Sequence, residues 1–323
     1  MTEVAAGLLS VVVPVYKSED IVPETHRRLT KVLAGLAPGL DYEIVFVNDG
    51  SPDGLLELLH DLAAADPHVT AISLSRNFGH QVAVTAGLDA ARGDAAVIID
   101  DDLQDPPEVI PEMVAKWREG YKVVYGVRSE RQGESAFKRW TASVYYRLMQ
   151  WLSDTPLPVD AGDFRLIDRV VIDALKEMRE ESRYLRGMGA WIGFRQVGVP
   201  YVREARYSGE STYDLRRMLR LAIDGALSFS VRPLTLMAQL GFLVTAIALL
   251  AGIYLIVERL FSPVALVPGW TSVIVAVLFM GGVQLVSLGV IGAYLGRIFY
   301  ETKGRPLYFV AERFGGRDAD RSA

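Results

Sequence analysis

The chain has 323 residues, half of them hydrophobic and 23% charged, which is enough for about two domains with a sizeable core and excludes a disordered or low-complexity protein. It contains no cysteine, so a disulfide framework, a thiolate zinc site and a cysteine nucleophile are excluded, and any metal must be held by oxygen or by the four histidines. The net charge of −5 divides at Val127 into 9 Lys+Arg against 20 Asp+Glu before and 25 against 19 after, so −11 is followed by +6. An acidic first half does not suit nucleic acid, whose affinity comes from neutralised phosphates; a basic second half suits anionic lipid headgroups.

The first half alternates strand and helix patterns. Residues 9–15 form a buried-strand run and 19–36 an amphipathic helix; 42–47, 69–74 and 95–99 read as further strands, with helices at 53–66 and 81–92 between them. Uninterrupted β-branched strands in βαβ alternation predict an α/β domain with a mostly parallel sheet covered on both faces. In such sheets ligands bind at the carboxyl ends of the strands. Polar residues punctuate those ends here: Tyr16, then Asn48-Asp49-Gly50-Ser51, Ser75-Arg76-Asn77 and Asp100-Asp101-Asp102. A fifth strand is expected at 121–127, followed by an amphipathic helix that Lys138 and Arg139 open.

Residues 214–229 read as an amphipathic helix lying in a membrane interface, with Leu215, Met218, Leu219, Ile223 and Leu227 on one face. Two uncharged stretches follow, 24 residues at 234–257 and 26 at 271–296, each above the ~20 needed to cross a bilayer. Arg216, Arg217, Arg220 and Arg232 precede the first, and Arg297, Lys303, Arg305, Arg313, Arg317 and Arg321 follow the second. The loop between them offers only Arg259, beside Glu258. The positive-inside rule then places both termini in the cytoplasm, and the start of the chain has no basic region of the kind a signal peptide needs. Gly292 and Gly296 form a GxxxG pair that allows close helix approach within the chain or between copies, as a homo-oligomer; glycine is also simply common in membrane helices. The expected organisation is a cytoplasmic catalytic domain at 1–211, an interfacial helix at 212–233, a two-helix membrane region at 234–296 and a cytoplasmic tail at 297–323.

No GxxxxGK[ST] loop is present and no GxGxxG follows the first strand, so the phosphate cradles of P-loop and dinucleotide enzymes are missing. Asp100 and Asp102 close the fourth strand instead, two apart and thus on one side of an extended chain. Two converging carboxylates repel unless a cation lies between them. Hard oxygen donors suit Mg²⁺ or Mn²⁺, with Gln104 available as a further oxygen and a diphosphate completing the shell. His26, His60, His68 and His80 have no ligand spacing and read as ordinary helix and loop residues.

Four segments carry a resemblance: Ser10 to Tyr16, Val47 to Gly54, Leu74 to Gly79 and Asp100 to Pro107 are similar to successive motifs of the family 2 glycosyltransferases with the GT-A fold. The chain more narrowly resembles their polyprenyl-phosphate branch, through Gly126-Val127-Arg128, Gly162 to Leu166, Trp191 to Gln196, Arg206 to Tyr213 and the two C-terminal spans. The resemblance implies that Pro14, Tyr16, Glu19 and Asp49 hold the nucleoside of a UDP-sugar donor. Asp100 and Asp102, with Gln104, would bind its diphosphate through the metal. It implies that Arg128, Lys138, Arg139, Arg203, Arg206 and Ser211 surround the phosphate of a polyprenyl acceptor, where guanidinium forks suit phosphate oxygens. Asp102, through the metal, and Asp163 then belong to the reacting centre.

Relatives place a base at Asp163. A lipid monophosphate has its second pKa near ~6 and is already mostly dianionic at neutral pH, so Asp163 is expected to orient the acceptor or to stabilise charge at the anomeric carbon. One in-line displacement with inversion follows. The QxxRW motif of processive polysaccharide synthases is missing, since Ala136 stands where Gln would precede Arg139-Trp140. A non-catalytic nucleotide-binding membrane scaffold would have little use for both the aspartate pair and the arginines. The segment Trp191 to Arg195 is similar to the glucosyl-transferring members, which favours UDP-glucose; UDP-galactose, UDP-N-acetylhexosamine and GDP-mannose stay open.

Overall fold

The computed structural model describes residues 7–36, 39–128, 161–181, 183–204, 232–261 and 269–316. It divides into two compact units, one of Met1–Val144, Thr155–Thr212 and Arg305–Ala323, the other of Tyr145–Asp154 and Tyr213–Gly304. The first contains β1 (Gly7–Val15), α1 (Val22–Leu33), β2 (Leu40–Asn48), α2 (Leu55–Ala65), β3 (Val69–Leu74), α3 (His80–Ala90), β4 (Ala95–Ile98), α4 (Ile110–Arg118), β5 (Val123–Arg128), β6 (Ala161–Asp168), α5 (Arg169–Glu177), α6 (Leu185–Ile192), β7 (Gln196–Tyr201) and β8 (Val310–Gly315).

These strands form one sheet in the order β7-β5-β6-β4-β1-β2-β3-β8. The pairs β1/β2, β1/β4, β2/β3 and β5/β7 are parallel; β4/β6, β5/β6 and β3/β8 are antiparallel. The expected α/β architecture is therefore present. Alternation along β1 sends Val11 and Val13 into one core with Leu29 of α1, Leu59 of α2 and Met113 of α4. It sends Val12 into a second core with Val84 of α3, Ile172 of α5 and Met188 of α6. Helix α3 comes close to the sheet because Gly87 leaves it room: a Cβ there would stand 2.3 Å from Cγ1 of Val12 and 3.0 Å from Cγ2 of Val47. The sheet order reverses between β1 and β4, so the carboxyl ends of these two strands flank the crevice where such sheets bind ligands.

Three features differ from the sequence expectations. The fifth strand starts at Val123 rather than at Tyr121, whose ring is covered by the guanidinium of Arg195 at 4.7 Å. Strand β6 carries Asp163 and the buried Arg165, charges that disguise it in the sequence. The segment expected as a tail from 297 first extends the preceding helix and then returns to the sheet as β8. Its backbone pairs with β3, the ring of Phe314 stacks on His60 at 3.6 Å between centroids, and the hydroxyl of Tyr308 donates to Oδ2 of Asp89 at 2.8 Å. β8 thereby covers the edge of β3 that would otherwise be an open template for pairing.

In the second unit the described residues form α7 (Arg232–Phe261) and α8 (Trp270–Glu301). Each contains a window long and apolar enough to cross a membrane, Leu234–Tyr254 with mean hydropathy 2.2 and Phe279–Glu301 with 1.5, and neither window is buried. The expected interfacial helix at 212–233 lies outside the described residues up to 231, and Arg232 already belongs to α7. The GxxxG pair of α8 is not used for packing among the described residues, because open space surrounds both glycines.

Candidate active site

The crevice is built from the loops that leave β1, β2, β3 and β4. Pro14 is buried near the end of β1, and Tyr16 projects from that end, 42% exposed, with Nζ of Lys17 5.4 Å from its ring centroid. A half-open aromatic beside a cation is a surface on which a base can stack. Glu19 is exposed, and its Oε2 accepts the N–H of Gly54 at 3.0 Å, which ties the first loop to the start of α2. Asp49 sits in the turn that leaves β2. Only 3% exposed, it accepts the N–H of Phe78 at 2.7 Å on Oδ1 and that of Gly79 at 2.9 Å on Oδ2. Its carboxylate thus helps to shape the loop before α3. Gly50, at φ +63°, lets this turn pass Arg76, whose backbone carbon a Cβ would meet at 2.4 Å.

The aspartate triplet follows β4. Oδ1 of Asp100 is buried without a hydrogen-bond partner, and burial pushes this carboxyl up to about 6; His80 opposes the rise, while Asp163, Asp105 and Asp102 add to it. Asp101, in the turn beyond β4, is likewise pushed up to about 6 by burial. Asp102 accepts the N–H of Gln104 at 3.1 Å, and its other oxygen lies 4.0 Å from Nη2 of Arg203. The backbone carbonyl of Gln104 accepts the N–H of Glu204 at 2.9 Å.

A crowded carboxylate with an orphaned buried oxygen fits a divalent cation. Among the described residues no three His, Cys, Asp or Glu side chains converge on one point. The described residues thus offer a partial shell, as suits Mg²⁺ or Mn²⁺ ions that keep waters and take phosphate oxygens from a substrate. Asp100 and Asp102, with Gln104 beside them, are the residues that would hold it.

Two residues missed in the sequence join this loop to two of the arginines expected around the acceptor phosphate. Asp105 is 1% exposed and accepts a hydrogen bond from the hydroxyl of Tyr201. Nε of Arg128 donates to the same hydroxyl at 3.5 Å, and Nε of Arg203 lies 3.7 Å from Asp105. Burial, then the bond to Asp105, pushes the Tyr201 hydroxyl up to about 12, so it stays protonated as a donor. Arg203 is therefore brought to the aspartate loop directly and Arg128 through Tyr201. The other four acceptor candidates, Lys138, Arg139, Arg206 and Ser211, lie outside the described residues.

Asp163 stands on β6 facing Arg186 of α6. Nε and Nη2 of Arg186 donate to its two carboxylate oxygens at 2.7 and 2.8 Å. Burial would raise this carboxyl, but the Arg186 bonds and charge, with Arg165 and His80, bring it down to about 2. His80, read in the sequence as an ordinary residue, belongs to the site: its Nε2 is 3.5 Å from Asp100 and 3.9 Å from Asp163. No sequence spacing signals either partner, because Arg186 and His80 reach Asp163 from elements 23 and 83 residues away.

A family model described as Glycosyl transferase family 2 matches residues 10–176. The chain is 47% identical over 306 residues to the uncharacterized glycosyltransferase YkcC of Bacillus subtilis (strain 168), covering 95% of this chain and 94% of that protein. It is 39% identical over 307 residues to the bactoprenol glucosyl transferase of Shigella phage SfX, covering 94% and 99%. Among solved structures, glucosyl-3-phosphoglycerate synthase from Mycobacterium tuberculosis, in complex with Mn²⁺, UDP-glucose and phosphoglyceric acid, is similar at 20% identity and a TM-score of 0.45, covering 69% of this chain and 79% of that one.

Proposed function

Because the chain belongs to glycosyl transferase family 2, whose GT-A sheet domain it carries, we propose that it transfers glucose from UDP-glucose to a polyprenyl phosphate, undecaprenyl or decaprenyl, with inversion. The reaction takes place at the cytoplasmic face of the cell membrane, and its product is a lipid-linked donor for cell-envelope glycans. The observation that carries this reading is the approach of Arg203 to Asp102, 4.0 Å apart. It supports a reading in which a cation for one phosphate lies beside a carboxylate for the metal on another, as suits transfer between a nucleoside diphosphate and a phosphorylated acceptor. The bactoprenol relative supports the lipid acceptor and the glucosyl group.

When bound, Mg²⁺ or Mn²⁺ neutralises the charge that grows on the departing diphosphate. Tyr16, Pro14 and Glu19 receive the nucleoside, with Asp49 shaping the loop beside them. Arg128 and Arg203 hold the acceptor phosphate, helped by Lys138, Arg139, Arg206 and Ser211. Arg186 keeps Asp163 ionised and still, so that a fixed negative charge faces the anomeric centre. The acceptor phosphate, with its second pKa near ~6, brings its own nucleophilic oxygen and gives up no proton to the protein.

The same domains are proposed as in the sequence reading, with β8 added to the catalytic sheet. Strands from before α7 and after α8 share that sheet, so two crossings return the chain to the side it left. The test is incubation of the purified protein with polyprenyl phosphate and labelled UDP-glucose, UDP-galactose, UDP-N-acetylhexosamine or GDP-mannose. Label from UDP-glucose is expected in the lipid phase; lipid labelled only from another donor would overturn the assignment of the sugar.

A further inference from the structure

Helix α3 is pinned at both ends of its contact with the sheet. At its start the Asp49 carboxylate fixes the N–H groups of Phe78 and Gly79, and Gly79 takes φ +100° with open space where a Cβ would stand. Further along, Gly87 rests against Val12 and Val47. The first helical residue, His80, is thereby carried to the ends of β4 and β6. Its Nε2 is 3.5 Å from Oδ1 of Asp100 and 3.9 Å from Oδ2 of Asp163. That Asp100 oxygen is the buried one with no hydrogen-bond partner among the described residues. An imidazole between two carboxylates is placed to attract both and to oppose their mutual repulsion.

We propose that His80 is a positioning residue for the metal site, its ring standing between Asp100 and Asp163 and keeping the two carboxylates apart, so that Asp100 is available to the cation. The proposal rests on the reading of Asp100 as a ligand to a divalent cation. Groups that orient a ligand from behind contribute to metal affinity, and losing one costs about 10–100-fold. Because the His80 side chain is 42% exposed, replacing it removes little of the core.

The test is Mn²⁺ binding to the purified full chain in the presence of UDP, measured by electron paramagnetic resonance for the wild type, His80→Ala and His80→Gln. Glutamine offers an N–H donor at comparable reach; alanine offers none. His80→Ala is expected to bind Mn²⁺ about tenfold or more weakly, and His80→Gln to stay within about threefold of wild type. Transfer by His80→Ala is expected to recover as Mn²⁺ is raised, which a damaged fold would not do. Wild-type Mn²⁺ affinity in His80→Ala, or equal weakness in both variants, would overturn the proposal. A wild type that binds no Mn²⁺ with UDP present would instead overturn the metal reading of Asp100 beneath it.

Discussion

Arg186 grips Asp163 through two parallel hydrogen bonds, Nε to Oδ1 at 2.7 Å and Nη2 to Oδ2 at 2.8 Å. A carboxylate held in this way, with its pKa brought down to about 2, is a poor proton acceptor at neutral pH. Asp163→Asn is therefore expected to lose less than the ~10²–10⁴-fold that removal of a general base costs. Its remaining rate is expected to rise with pH through the acceptor phosphate pKa near ~6. A pH–rate profile of the variant checks this; total loss at pH 8 with lipid and UDP binding intact would assign the base to Asp163.

Asp100 is perturbed in the opposite direction, and the sign matters. Its carboxyl is raised to about 6 in the folded protein, so the fold binds this proton more tightly than the unfolded chain does. Without metal, Asp100 then costs stability as pH rises through the window from ~4 to about 6. Asp100→Asn is expected to abolish transfer yet to melt at or above the wild-type temperature at pH 7.5 without metal. Added Mn²⁺ with UDP is expected to raise the melting temperature of the wild type only. Asp102→Asn is expected to lose transfer as well. Full activity in either variant, at ordinary metal dependence, would remove the aspartates from the metal site.

Much of this was legible because local rules and tertiary demands agree. The β-branched runs of β1 to β4 are buried on both faces, and Tyr16, Asp49 and Asp100 mark their carboxyl ends. What was not legible comes from partners distant in sequence. Nothing near Asp163 announces Arg186, and nothing near Asp105 announces Tyr201. β8, with Glu312 and Arg313 inside six residues that follow a membrane-type helix, lacks a strand's apolar alternation and is a strand because the edge of β3 receives it.

Arg128 reaches the aspartate loop through Tyr201 rather than directly. Arg128→Ala is expected to raise KM for polyprenyl phosphate or to lower turnover, with UDP affinity nearly unchanged. Loss of a charge-assisted phosphate contact is worth about 1.5–3 kcal/mol, roughly tenfold to a hundredfold. Arg203, beside Asp102, is expected to affect both the acceptor and the metal. Steady-state kinetics with lipid and donor varied separately distinguish the two, and equal loss of UDP affinity in Arg128→Ala would contradict the division.

The return of the chain to the sheet at β8 constrains topology. Truncation after Gly304 removes this strand and opens the β3 edge, so the shortened protein is expected to melt lower and to aggregate. In full-length protein a single cysteine at Ser262, in the segment between the two helices and outside the described residues, is expected to react with an impermeant reagent added outside intact cells. Labelling only from inside would contradict two crossings.

The most direct measurement is the anomeric configuration of the lipid product made from UDP-α-glucose, read from proton and phosphorus couplings by NMR. A single displacement by the acceptor phosphate, with Asp163 locked to Arg186 and forming no covalent bond to the sugar, predicts a β-linked polyprenyl phosphate glucose. An α-linked product would show that the configuration is retained, and would contradict direct inverting transfer.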